Sequence, residues 1–117
     1  MNEIVIRRLE EAGIAWTKTL PNLMDRELIY LKYLKRFPDN EYYPLLVKAF
    51  EENDCSAAFH AAHTLRGTTG NLGILPMYEC LVEMTEELRA GDLDAAKLRI
   101  PTLTAAWDRV VSLLKEL

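Results

Sequence analysis

Hydrophobic residues recur at the 3.6-residue period of an α-helix along almost the whole chain. No segment alternates apolar and polar residues over the length of a strand, and no Asn-Gly or Asp-Gly hairpin turn occurs. At the N-terminus the pattern predicts a helix over about residues 3–11 and a shorter one over about residues 14–20, which Pro21 interrupts. We therefore expect an all-α fold that begins with short helices packed across one end of a bundle.

The middle of the chain predicts three longer helices, each with one apolar stripe. The first follows an N-cap at Asp25, and its residues expected to face inward are Leu28, Ile29, Leu31 and Leu34. The second covers about residues 41–52, and its expected stripe comprises Tyr42, Leu45, Leu46, Ala49 and Phe50. The third is capped by Asp54 and stops at Gly73.

The C-terminal part completes the predicted bundle. Pro76 lies in the first turn of a helix that ends at Gly91, with a stripe made of Met77, Leu81, Met84 and Leu88. Asp92 caps the last helix, which Pro101 is expected to kink or break. Its seam comprises Leu103, Trp107, Val110, Leu114 and Leu117. We expect an up-down four-helix bundle in a single domain, residues 1–117, in which residues 1–24 form an N-terminal helical cap and residues 25–117 form the bundle.

Composition limits the possible functions. The chain has 117 residues and a formal net charge of −4, which disfavours nucleic-acid binding because that binding depends on neutralising phosphates. The sequence has no secretory signal and no apolar run long enough to cross a bilayer, so we expect a cytoplasmic protein without membrane insertion. Cys55 and Cys80 are expected to be free thiols, and no Cys/His grouping suggests zinc.

The helix after Asp54 contains two glycines, Gly67 and Gly70, although each costs about 0.8–1 kcal/mol relative to alanine in a helix interior. On a helical wheel with a step of about 100°, His63 lies opposite the stripe that contains Leu65 and Leu72. The two glycines flank His63 on the outer face, and Arg66 lies on the shoulder of that face. The pattern predicts an exposed imidazole beside a strip without side chains.

A neutral imidazole is a good nucleophile near neutral pH and can accept a phosphoryl group on a ring nitrogen. Arg66 could bond phosphate oxygens, and the glycines would allow another protein to approach the helix backbone. The set does not suit hydrolysis, because no general base or oxyanion hole is evident. We interpret the helix as a site for group transfer from a partner that brings its own metal and donor.

Other interpretations of these residues stay open. An exposed histidine is usually a solvated surface residue, and a helical glycine can serve tight packing instead. His60 lies at the edge of the same face, but the residues three and four positions after it are not a basic residue and a glycine. His63 is therefore the preferred phosphoacceptor. As a pair the two histidines could bind a metal adventitiously. Phe59 could anchor a partner, although packing under the N-terminal segment with Ile14 and Trp16 is preferred.

Residues 62–73, Ala-His-Thr-Leu-Arg-Gly-Thr-Thr-Gly-Asn-Leu-Gly, resemble the signature of the histidine-containing phosphotransfer (HPt) domains of multistep two-component phosphorelays. The segments 13–14, 25–38 and 79–92 also resemble the helices and turn that surround it, so the resemblance covers roughly residues 10–117. It implies a four-helix bundle that carries phosphoryl groups but has no catalytic site of its own.

The resemblance also implies roles for residues and partners. His63 would be the phosphoacceptor and Arg66 its charge support, while Gly67 and Gly70, with Phe59 and His60, would form the docking surface. The partners would be response-regulator receiver domains, a hybrid histidine kinase, or both. The receiver would supply Mg²⁺, so no cofactor or metal is expected on this chain, which we expect to be a monomer.

Two positions depart from the family pattern. Family members commonly have lysine three residues after the histidine, where this chain has Arg66, which keeps the charge in a forked geometry. Many members also orient the imidazole with a glutamine or glutamate on the facing helix. The comparable position here is Thr85, with Glu86 beside it.

Two alternative functions are also considered. The chain could be the phosphoacceptor domain of a chemotaxis-type histidine kinase, although such a kinase needs a further chain after Leu117. It could instead be a helical module that docks on receiver domains without accepting phosphate. The chain starts at Met1, and the apolar stripe of its last predicted helix continues to Leu117. Both features favour a free-standing protein.

Overall fold

The computed structural model describes residues 2–117, and its regular structure within them is entirely helical. Eight α-helices and two short 3₁₀ turns follow one another within residues 2–117. The helices are α1 (Glu3–Glu11), α2 (Trp16–Thr19), α3 (Glu27–Arg36), α4 (Tyr42–Glu51), α5 (Cys55–Leu72), α6 (Leu75–Arg89), α7 (Leu93–Lys97) and α8 (Ile100–Glu116). The 3₁₀ turns cover Leu20–Leu23 and Phe37–Asp39. The predicted all-α class is confirmed.

Helices α4, α5, α6 and α8 form the bundle. Helix α5 packs along both α4 and α6, and α8 packs against α6. The bundle closes between α4 and α8, where the rings of Tyr43 and Trp107 stack with centroids 4.2 Å apart. Only residues 52–54 and 73–74 separate consecutive helices from α4 to α6, so these neighbours run antiparallel. The two long helices α5 and α6 therefore share the longest interface of the bundle.

Most helix ends follow local sequence signals. Asp54 caps α5 by accepting a hydrogen bond from the Ala57 backbone N–H at 3.0 Å. Asp92 caps α7 in the same way through Ala95 N–H at 3.1 Å. Pro101 breaks the predicted last helix, because α7 ends before it and Pro101 lies in the first turn of α8, where its missing N–H leaves no bond unmade.

The predicted inward face of α3 is wrong in part. Leu28 is 82% exposed and Ile29 is 37% exposed, whereas Tyr30 and Leu34 are fully buried. The Tyr30 ring stacks on Trp16 with centroids 4.4 Å apart, so burial of an aromatic pair fixes the rotation of the helix. The predicted cap is also wrong, since Arg26 occupies the N-cap and Asp25 adopts a positive φ of 56°.

The predicted stripe of α4 also needs correction, because Tyr42 and Leu45 are exposed. Its buried residues are Leu46, Ala49 and Phe50. The stripe of α6 is buried as predicted, while Trp107 on α8 is only partly buried. Helix α4 therefore presents apolar side chains on its outer side, next to α5.

The N-terminal helices are anchored where α5 turns into α6, a region called here the α5–α6 joint (residues 13–16 and 73–75). Ile14 and Ile74 form an isolated antiparallel bridge. The Ala15 N–H donates to the Gly73 carbonyl at 2.9 Å, and the Leu75 N–H donates to the Gly13 carbonyl at 3.1 Å. The Tyr30 hydroxyl donates to the Leu72 carbonyl at 2.5 Å. The predicted packing of short helices across one end of the bundle is confirmed.

Candidate functional site

Helix α5 exposes His63 on the side opposite its buried stripe. The buried residues of α5 are Ala58, Ala61, Ala62, Leu65, Thr69 and Leu72. The small alanines allow α4 and α6 to pack closely against α5 while His63 extends into solvent. The exposure of His63 therefore agrees with the helical wheel.

Phe59, one helical turn before His63, lies directly beside it. The two rings stack with centroids 5.7 Å apart and an interplanar angle of 22°, and the edge of His60 faces the same phenyl ring at 5.7 Å. The preferred interpretation, that Phe59 packs under Ile14 and Trp16, is wrong, because those residues lie at the opposite end of α5. Phe59 instead gives His63 an apolar support on one side.

A cluster of three charged side chains lies near His63. Arg66 Nη1 on α5 lies 3.4 Å from Glu86 Oε1 on α6. Arg89 Nε lies 3.4 Å from Glu86 Oε2. The Arg89 guanidinium also lies 5.2 Å from the centroid of the Phe59 ring, a cation–π geometry. Two cations thus surround one carboxylate beside the imidazole.

These groups open onto a cavity of about 620 Å³ between α5 and α6, called here the His63 cavity. Its lining residues are His63, Arg66, Gly67, Gly70, Asn71, Leu75, Tyr78, Glu86 and Arg89. The lining carries two guanidinium groups and one carboxylate, so its charge favours an anion although the whole chain is acidic. The arrangement can hold a phosphate-like group next to an exposed imidazole.

The two glycines of α5 have different surroundings. A Cβ added at Gly67 would meet nothing within 4 Å, so this position is open as predicted. A Cβ added at Gly70 would lie 2.9 Å from Cε1 of Tyr78 on α6. Both glycines are exposed, so the predicted strip without side chains is present at both turns. It is open at Gly67, whereas the Tyr78 ring of the neighbouring helix borders it at Gly70.

Thr85 does not occupy the position expected for an imidazole-orienting residue. It is fully buried, and its hydroxyl donates to the Leu81 carbonyl on its own helix. It is also absent from the lining of the His63 cavity, whereas Glu86 belongs to that lining. The oxygens of Glu86 face Arg66 and Arg89. Within residues 2–117, no side chain forms a hydrogen bond to the ring nitrogens of His63.

Arg89 and Tyr78 line the site but are not predicted from the sequence. Arg89 follows Glu86 by three residues, a spacing that places both on one helix face. That spacing alone predicts the ion pair within α6. The approach of this pair to His63 depends on how α6 is aligned along α5, which no local pattern reveals.

A second groove, whose lining is mostly apolar or small but also includes Lys48 and Glu52, lies on the α4 side of α5. This α4/α5 groove has a volume of about 380 Å³, and its lining includes Tyr42, Leu45 and Lys48 of α4 with His60 and Thr64 of α5. The exposed Tyr42 and Leu45 therefore lie in the same groove as His60. The surface around His63 has a charged side toward α6 and a mostly apolar side toward α4.

The structure also bears on the cysteines, on membrane-spanning helices and on metal-binding groups. Cys55 and Cys80 are free, as predicted, and burial raises the pKa of the Cys80 thiol. No helix in residues 2–117 is long and apolar enough to span a membrane. The same residues hold no group of three or more His, Cys, Asp or Glu side chains placed to bind a metal ion.

Comparison with known proteins gives one match. A family model described as "Hpt domain" matches residues 40–113, which is more than half of the chain. This range begins just before α4 and ends within α8, so it contains the bundle and His63. No significant match to a curated protein or to a solved structure was found.

Proposed function

Because the chain belongs to the Hpt domain family, whose members act in histidine phosphotransfer of two-component systems, we propose that it carries a phosphoryl group on His63. The donor is an aspartyl phosphate on a response-regulator receiver domain, and the acceptor is a second receiver domain. One observation carries the proposal. The exposed His63 lies beside two guanidinium groups and the open Gly67, on the outer face of a helix within the matched region.

In the proposed reaction, this chain needs to supply a nucleophile but no general base. The lone pair of one nitrogen of the neutral imidazole attacks phosphorus and forms a P–N bond. The P–O bond to the aspartate breaks, and its electron pair leaves with the carboxylate. The ring keeps its proton on the other nitrogen, so no general base is required. Transfer to the second receiver domain reverses these steps.

Arg66 and Arg89 complement the charge of the phosphoryl group in this proposal. A guanidinium offers several N–H donors in a fixed plane and binds phosphate oxygens well. The receiver domain supplies the Mg²⁺ that the transfer uses, so this chain contributes the nucleophile and cationic side chains. Hpt domains are phosphocarriers rather than catalytic enzymes, which fits a site composed of one nucleophile and its supports.

The docking surface of the proposal centres on α5. Gly67 lets a receiver domain approach the helix backbone, because no side chain projects from it. Phe59 and His60 extend that surface toward the N-terminus of α5. Gly70 is also exposed, and the ring of Tyr78 borders the surface beside it. The monomeric state and the cytoplasmic location stay predictions.

A transfer assay with the full chain tests the proposal. The chain is mixed with a phosphorylated receiver domain and Mg²⁺, and label that is stable to base but labile to acid should appear on it. A second receiver domain should then remove the label. The His63→Gln variant should take up none. The matched His60→Gln variant should still be labelled, because the proposed P–N bond forms on His63, and any contribution of His60 to docking should lower only the rate.

The same assay separates the alternatives. A chain that binds the receiver domain but takes up no label would be a docking module. A chain labelled only by the ATPase domain of a histidine kinase would be a kinase phosphoacceptor domain. Uptake by His63→Gln at the wild-type level would refute the assignment of His63.

A further inference from the structure

Glu86 connects the two arginines of the His63 cavity. Each of its carboxylate oxygens lies 3.4 Å from a different guanidinium, Oε1 from Arg66 and Oε2 from Arg89. The contact with Arg66 crosses from α6 to α5, whereas the contact with Arg89 stays within α6. Both cations that could meet a phosphoryl group are therefore already paired with one anion in the unmodified chain.

A phosphoryl group on His63 would compete for the same partners. It carries up to two negative charges and three acceptor oxygens, against one charge and two oxygens on Glu86. Arg66 is the more shielded of the two arginines, with 28% of its side chain exposed, so its contact with an anion is partly protected from water. We infer that Glu86 is a positioning residue that holds both arginines beside His63 until the phosphoryl group arrives, and then yields them to it.

This inference rests on the proposed transfer to His63. The bonds that form and break are those already given, P–N and P–O, and Glu86 exchanges ion-pair partners without gaining or losing a proton. Arg89 keeps a second support when Glu86 releases it, because its guanidinium lies over the Phe59 ring. The Glu86 carboxylate then faces an anion across the cavity, and this repulsion weakens the hold of the site on the phosphoryl group.

The consequence is a carrier that accepts the phosphoryl group and also releases it. Without the Glu86 charge, both arginines would be free for the phosphoryl group and the repulsion would be absent. Phosphorylated His63 should then become more stable relative to the phosphorylated receiver domain. Glu86 therefore sets the equilibrium of transfer through the two arginines, rather than by orienting the imidazole.

The equilibrium constant of transfer from a phosphorylated receiver domain to the full chain tests this role. Glu86→Gln should raise the constant by about two- to fivefold, the size expected for a partly exposed ion pair. Glu79→Gln is the matched control, since it removes the same charge from the side of α6 that faces α7 and α8, and it should leave the constant unchanged. A constant that is unchanged or lower in Glu86→Gln would overturn the inference.

Nuclear magnetic resonance of the arginine guanidinium N–H groups, Nε–H and Nη–H, provides a second test. In the unmodified chain, Glu86→Gln should shift the signals of Arg66 and Arg89 but not that of Arg99, which pairs with Glu87. Phosphorylation of the wild type should shift the same two signals. Unchanged signals on phosphorylation would overturn the exchange of partners.

The two tests also separate this inference from the proposed function. If the wild type accepts no phosphoryl group, the proposed function fails and the exchange fails with it. The arginine signals of unmodified Glu86→Gln would still show whether Glu86 pairs with them. If the wild type is phosphorylated but Glu86→Gln behaves like Glu79→Gln, only the role of Glu86 is refuted.

Discussion

The outer face of α5 around His63 and the α5–α6 joint both contain glycine, but for opposite reasons. At Gly67 an added Cβ would meet nothing within 4 Å, whereas at Gly73, with φ of +70°, it would clash with the Thr19 hydroxyl. The outer face keeps its helix free of side chains at a cost in helix propensity. The joint needs a residue in the left-handed backbone conformation, and two backbone segments approach each other closely there. Glycine therefore indicates accessibility in the first region and packing in the second.

The difference predicts that the two regions respond separately to substitution. Changes at the joint should reduce the free energy of unfolding and leave the transfer rate per folded molecule almost unchanged. Changes on the outer face should alter transfer while the stability stays the same or increases. A variant that violates this separation would show that the two regions are coupled.

The largest expected effect is a loss of stability in the Gly73→Ala variant. A positive φ at a non-glycine residue and the clash with Thr19 should together lower the free energy of unfolding by about 2–4 kcal/mol. Gly91→Ala is the matched control, because Gly91 has φ of +77° but open space around its Cα. Its loss should be only about 1 kcal/mol. Urea unfolding measures both, and equal losses would contradict the tight packing of the joint.

The next largest expected effect is a slower phosphoryl transfer in the Gly67→Gln variant. A long side chain at this open position should keep the receiver domain from its docked geometry, and misplacement by about 1 Å can slow a reaction by about 100-fold. Single-turnover transfer from a phosphorylated receiver domain measures the rate. The variant should be at least as stable as the wild type, since glutamine favours a helix more than glycine does. A loss of stability instead would mean that Gly67 serves packing.

A smaller effect on transfer is expected for Arg66→Ala. Loss of a charge-assisted hydrogen bond of about 1.5–3 kcal/mol should slow phosphoryl uptake by roughly tenfold or more. The free energy of unfolding should change by less than about 0.5 kcal/mol, because the ion pair with Glu86 is partly exposed. Arg66→Lys should retain most of the rate if charge is what matters. A rate unchanged in Arg66→Ala would remove Arg66 from the site.

The smallest expected effect compares two alanine substitutions on one helix. Gly67→Ala should raise the free energy of unfolding by about 0.5–1 kcal/mol through helix propensity alone. Gly70→Ala should show no such gain, because its Cβ would push against the Tyr78 ring. Thermal unfolding of both variants tests the comparison. A similar gain at both positions would show that Tyr78 gives way without cost.

Local signals in the sequence predicted much of the fold. Asp54, Asp92, Pro76 and Pro101 act within one turn of their own position, so the helix ends near them could be read without knowledge of the neighbours. The face of α3 could not be read in this way. Apolar residues lie on both of its sides, and only the stacking of Tyr30 on Trp16 decides which side is buried.

In the candidate site, too, local sequence signals predict some features, and others depend on how the helices pack. The exposure of His63 follows from the period of α5 alone. The positions of Thr85, Glu86 and Arg89 relative to His63 depend on the rotation and alignment of α6, and a shift of one residue turns a side chain by about 100°. The sequence therefore located the exposed histidine, while the position of the charged cluster near it depends on the packing of two helices.

Mass spectrometry can locate the phosphoryl group that we propose for His63. Trypsin cleaves after Lys48 and Arg66, so a single peptide, residues 49–66, contains both His60 and His63. The chain is phosphorylated by a receiver domain, digested without acid, and fragmented between the two histidines in a mass spectrometer. We expect the phosphoryl mass on fragments that contain His63 and none on fragments that contain His60 alone. A phosphoryl group on His60, or on neither histidine, would contradict it.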